Sequence, residues 1–168
     1  MNHAIAKRFA GVYKDGFTRL EKVFMRTGFY GFVFVGTTAM ALQHPALGVA
    51  YLVSSVAGLL WVIYGLLCRY CPYPFHYSDC LFFPYQWLTA IKRPPTRRMG
   101  RLHQYGFILV MALLLLIPQP WLLGAPTLMW AFWLLAGPTL AALPFYYCRR
   151  CMHRQCKLNR CGAAIRDR

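Results

Sequence analysis

Charged residues divide the chain into blocks. Lys, Arg, Asp and Glu are absent from the 42 residues 27–68 and from the 47 residues 102–148. A helix needs about 20 apolar residues to cross the hydrocarbon core of a bilayer, so each block is long enough for two crossings joined by a tight turn. Turn-forming residues fall inside each block: Gln43-His44-Pro45 in the first, Pro118-Gln119-Pro120-Trp121 and Gly124-Ala125-Pro126 in the second. The pattern predicts helices near 27–43, 47–68, 103–117 and 127–147. These segments lack the polar face that a surface helix of a soluble domain carries. The expected fold is an all-α integral membrane protein with four transmembrane helices.

The flanking segments follow other patterns. In residues 1–26, Ile5, Phe9, Val12, Phe17, Leu20 and Phe24 recur at roughly helical spacing among Lys and Arg. This predicts a basic amphipathic segment lying along the cytoplasmic leaflet, not a cleavable signal peptide, which needs one short apolar run. The stretch Leu81-Phe82-Phe83-Pro84-Tyr85-Gln86-Trp87-Leu88 predicts a second interfacial anchor, followed by a basic loop to residue 101. Within the second span, Ala50, Ser54 and Gly58 form a small-residue stripe suited to helix packing. Pro138 and Pro144 are expected to bend the fourth span.

The two blocks are related. Arg26-x3-Tyr30-Gly31-Phe32 opens the first and Arg101-x3-Tyr105-Gly106-Phe107 opens the second; each then ends in Cys-x-x-Cys, at Cys68/Cys71 and Cys148/Cys151. Two spans per unit preserve direction, so the chain is expected to form two sequence-related hairpins, 27–80 and 102–161 with a basic tail at 162–168, about an axis along the membrane normal.

Composition sharpens the class. Of 168 residues, 58% are apolar and 17% aromatic, whereas 14% are charged, against about 25% in typical globular domains. That hydrophobicity excludes a disordered chain. Nineteen Lys and Arg face four acids, Asp15, Glu21, Asp79 and Asp167. All nineteen lie before the first span, between the second and third, or after the fourth. By the positive-inside rule both termini are expected in the cytoplasm. Topology and anionic lipid account for the basic excess, and no nucleic-acid partner is expected.

All seven cysteines then fall on the cytoplasmic side, as Cys68-x2-Cys71-x8-Cys80 and Cys148-x2-Cys151-x4-Cys156-x4-Cys161. The cytosol keeps thiols reduced, which argues against structural disulfides. Two Cys-x-x-Cys pairs brought together supply the four thiolates that suit tetrahedral zinc or an iron–sulfur cluster. Cys80, Cys156 and Cys161 remain for alternative ligation or a second site, and His76 and His153 are near in sequence. Iron–sulfur is favoured narrowly over zinc, because the turns hold Arg, Tyr and Met and Cys71 precedes Pro72. Four spans with Cys-x-x-Cys-Pro after the second also resemble the membrane ferredoxin subunits of the periplasmic nitrate reductase system. The usual spacing in that family is three residues, and no residue role is carried over.

A dithiol–disulfide oxidoreductase is the competing chemistry. However, Cys68 and Cys148 would sit at helix C-termini, where the dipole disfavours thiolate. A metal conduit fits less well, because no ionisable group lies in the middle of a span. Paired carboxylates, a Ser–His–acid set and a phosphate loop are all missing. The sequence therefore points to a small electron-transfer or accessory subunit working with other subunits of a membrane or cytoplasmic redox complex. The alternative is a structural or assembly protein whose zinc site pins the hairpins together.

Overall fold

The computed structural model describes residues 16–62, 65, 80–84, 86 and 101–147, with 101–104 as backbone alone. Among the described residues the fold is all-helical, without strands. The helices are α1 (Arg19–Gln43), α2 (Pro45–Trp61), α3 (Arg101–Leu116), α4 (Gln119–Leu123) and α5 (Pro126–Ala142), which runs into a π-helical turn at Leu143–Tyr147.

α1 starts earlier than the charge pattern suggests. The Thr18 hydroxyl accepts from the Glu21 amide at 3.3 Å and the Glu21 carboxylate accepts from the Thr18 amide at 2.8 Å. This reciprocal capping box satisfies two amides that a helix start would otherwise leave unpaired. Arg19, Lys22 and Arg26 therefore belong to the first turns of one 25-residue helix, about 38 Å long. Residues 19–26 of the segment expected to lie along the membrane surface are thus helical and continuous with α1, and Phe17 packs edge-on against Tyr147 with ring centroids 6.0 Å apart.

α1 is the central post. Met25, Gly28, Phe29, Phe32, Val33, Gly36, Ala39 and Met40 are all buried, because α5 packs along one side and α2 along another. Glycines permit the close approach. A Cβ on Gly28 would run into the Thr139 side chain of α5, one on Gly31 would come within 3.0 Å of Leu135 Cδ1, and one on Gly36 within 3.2 Å of Pro118 Cβ. Phe32 and Phe132 meet edge-to-face at 5.6 Å, a favoured aromatic geometry.

The stripe expected to pack α2 does so only in part. Ala50 and Ser54 are exposed, and the buried residues of α2 are Gly48, Tyr51 and Ser55. A Cβ on Gly48 would lie 2.5 Å from Ala41 Cβ of α1, so the tight crossing is one helical face away from the predicted stripe.

Pro118-Gln119-Pro120-Trp121 is a turn signal in the sequence, and a turn at Ile117-Pro118 does separate α3 from α4, but the apolar stretch Tyr105–Leu123 carries on past it and the chain reverses at Gly124-Ala125. Proline at 118 removes the amide that would bond the carbonyl of Leu114. The Tyr51 hydroxyl of α2 supplies the missing donor at 2.7 Å, and Gln119 Nε2 donates to Leu115 at 2.7 Å. Pro118 itself is buried against Gly36. Apolar helices tolerate proline where neighbouring groups satisfy the freed backbone in this way. At the other expected break, His44 is extended (φ −144°) between α1 and α2. Pro138 lies inside α5, and the π-helical turn surrounds Pro144.

Two helical stretches, Tyr105–Leu123 and Pro126–Tyr147, are long and apolar enough to cross a membrane. Only 22% and 17% of their most apolar windows are buried. Phe34, Val49, Leu109, Trp130 and Leu134 point outward on four helices. Hydroxyls along the helices turn back onto their own backbone: Thr37 to Val33, Thr38 to Phe34, Ser55 to Tyr51 and Thr139 to Leu135, at 2.6–2.9 Å.

Candidate functional site

Packing sets the direction of every long helix. Gln43, at the end of α1, donates to the carbonyl of Trp121 in α4, whereas Met25, near the start of α1, clusters with Leu81 and Tyr147. Tyr51 and Gly58 of α2 meet Leu114 and Val110 of α3 in reverse order. The beginnings of α1 and α3 and the endings of α2 and of the π-helical turn therefore share one end of the bundle. Tyr147 immediately precedes Cys148 in the chain.

Of the seven candidate ligands, the structure describes Cys80. Cys68, Cys71, Cys148, Cys151, Cys156 and Cys161 lie outside the described residues, as do His76, His153 and Asp79. Among the described residues, no group of three or more His, Cys, Asp or Glu is gathered to hold a metal.

Cys80 opens the segment Cys80–Pro84, which folds back onto the start of α1. Arg26 Nη2 donates to the carbonyls of Cys80 at 3.1 Å and Phe83 at 2.9 Å, and the Tyr30 hydroxyl donates to the carbonyl of Phe82 at 2.9 Å. Spacing of four places Arg26 and Tyr30 one turn apart on one face of α1. Cys80, Leu81 and Phe83 are buried, and Phe82 meets Phe29 edge-on at 5.6 Å. Leu81–Phe83, expected as an interfacial anchor, pack here against the end of the bundle.

Arg26 meets carbonyl dipoles here, and its Nε is buried without a hydrogen-bond partner among the described residues. Its charge is held at the cysteine-bearing end, within the helical bundle. Charge and hydropathy could not show this contact. Arg26 and Tyr30 do appear in the sequence as part of a repeated Arg-x3-Tyr-Gly-Phe, and that recurrence was the signal available for them.

Compared with known proteins, the chain matches no family, no curated protein and no solved structure. The site must be argued from its own residues.

Proposed function

We propose that the chain is an integral membrane protein of four spans with both termini cytoplasmic. In this reading its cytoplasmic end carries a cysteine-ligated centre, iron–sulfur in preference to zinc. Through that centre it serves as an electron-transfer or accessory subunit of a larger membrane complex. The observation that carries the reading is the common end: the helix ends leading towards both Cys-x-x-Cys pairs lie together, and Cys80 is fastened to the same end by Arg26 and Tyr30. Four thiolates around a divalent ion leave net negative charge, and Arg26 supplies opposite charge nearby. Apolar outer faces on the helices support lipid as the surrounding medium, since monomeric soluble proteins rarely expose apolar patches of that extent.

The test is metal analysis and an optical spectrum of protein purified in detergent without oxygen. Iron with sulfide, and a visible absorbance that bleaches on reduction, is the expected outcome. Replacing Cys68→Ser and Cys148→Ser together should abolish the bound metal. Stoichiometric zinc with a featureless visible spectrum would replace the redox role with a structural one, because zinc does not change oxidation state. Metal-free protein with seven titratable thiols would sink the metal centre and favour dithiol chemistry.

A further inference from the structure

α3 packs loosely on α2 by comparison with the packing of α1 on α5, and a groove of about 90 Å³ runs between the two. Its floor is Tyr51 and Leu114, both buried, and its rims are Ser54 on α2 and Leu113 and Ile117 on α3, all exposed. At one end Gly58 approaches α3 closely enough that a Cβ would stand 3.3 Å from Val110 Cγ1. Ser54 and Gly58, two of the three small residues striped along α2, carry too little side chain to fill the space.

Three hydroxyls line the groove, and each has already donated its proton within the protein. Tyr51 donates to the carbonyl of Leu114 at 2.7 Å, and Ser54 and Ser55 donate to the carbonyl of Tyr51 at 2.9 and 2.7 Å. Otherwise the lining is hydrocarbon. No donor is left for a polar ligand, so the fitting occupant is apolar. Size narrows the choice. An apolar cavity of roughly 150 Å³ takes a single benzene ring, so this smaller groove excludes fused rings and accepts one chain lying along it.

Depth points the same way. α2 begins at Pro45, at the end of the bundle away from Cys80. With a rise of about 1.5 Å per residue, Tyr51 lies about 9 Å and Gly58 about 20 Å along α2 from that start. One leaflet contributes about half of a hydrocarbon core about 30 Å thick. The groove therefore lies where the terminal part of an acyl chain falls when its headgroup sits at that end.

We propose that this groove seats one acyl chain of a phospholipid in the leaflet opposite the cysteines. The seat presupposes the membrane placement proposed above and is independent of any bound metal. A chain held there joins α3 to α2 along a line where the protein's own side chains leave a gap.

The test uses the full chain in nanodiscs of phosphatidylcholine doped with the same lipid carrying a diazirine near the end of one acyl chain. Irradiation, proteolysis and mass spectrometry then map the adducts. Leu134 is the reference: it is 70% exposed on α5 and, eight positions after Pro126, lies about 12 Å from the same end of the bundle. Leu113 and Ile117 are 46% and 38% exposed, yet they should carry more label than Leu134. Ser54→Leu, which fills the groove from its rim, should bring both down to the level of Leu134 and leave Leu134 unchanged. Where Ser54→Leu fails to fold, Leu113→Phe fills the groove from the opposite rim, and Ile117 is read alone. Groove labelling no stronger than at Leu134, or undiminished by filling, would overturn the proposal and leave the membrane placement standing. So would stronger labelling of the groove by a diazirine sterol than by the phospholipid. Absence of label from Leu134 and groove alike would remove the membrane placement, and the seat with it.

Discussion

Arg26 joins the start of α1 to carbonyls 54 and 57 residues further along the chain. Hydrogen bonds from a charged donor are stronger than neutral ones, and breaking them leaves carbonyls unpaired. Arg26→Gln should destabilise the fold by on the order of 2 kcal/mol, measured by denaturant unfolding in micelles. Cys80, now 7% exposed, should react faster with maleimide in the same variant. Unchanged reactivity would mean that the segment stays docked without Arg26. Two glycines make a contrasting pair. Gly28→Ala forces a methyl group into Thr139 and should destabilise by about 1–3 kcal/mol through overpacking. Gly137→Ala meets nothing within 4 Å beyond its chain neighbours, but the methyl group precedes Pro138 in the helix, which offsets the gain from reduced backbone freedom, so its effect should be smaller than that of Gly28→Ala. If Gly28→Ala costs no more than Gly137→Ala, the α1–α5 contact is not as described.

Among the elements, the junction of α2 with α3 rests on Pro118. Proline orphans the Leu114 carbonyl, and Tyr51 satisfies it. Tyr51→Phe should cost about 1–3 kcal/mol, the penalty of a buried acceptor left alone. Restoring the amide with Pro118→Ala should make the loss from Tyr51→Phe smaller, so the double variant falls short of the sum of the singles. Strict additivity would separate the two residues. This junction also shows what a sequence can and cannot tell. Uncharged blocks were enough to foresee an all-helical fold, two apolar helical stretches long enough to cross a membrane and the break at His44, since those features follow from composition and local chain chemistry. The apolar stretch carrying on past Pro118 was not foreseeable, because the group that replaces the lost donor sits on a helix many residues earlier. The start of α1 could have been seen: Thr18-x-x-Glu21 is a capping signature that the neighbouring basic residues obscured. The inward turn of Leu81–Phe83 had no local sign, for aromatic residues suit a membrane interface and a packed core equally well. Cys80 was recognised as a candidate by its type and spacing, but the partners that hold its backbone come from tertiary packing.

For the whole molecule, the proposed topology rests on the basic residues. All nineteen Lys and Arg lie outside the two uncharged blocks, and in the proposed four-span arrangement those outer positions would fall on one side. The cytoplasmic leaflet is the side that tolerates them. A green fluorescent protein fused after Arg168 should therefore fluoresce in bacterial cells, and alkaline phosphatase fused at the same point should be inactive. The reverse pattern would put the cysteines in an oxidising compartment and make disulfides the first explanation for them.

The central place of α1 also has a consequence in time. α1 is made before α5, whose Leu135 and Thr139 match its glycine-lined face. Between those events α1 has α2 beside it but lacks the surface that its glycines fit. Chain growth must therefore keep an early helix waiting for a late one, and a polypeptide halted after the first hairpin would present that narrow groove to whatever quality control patrols the membrane.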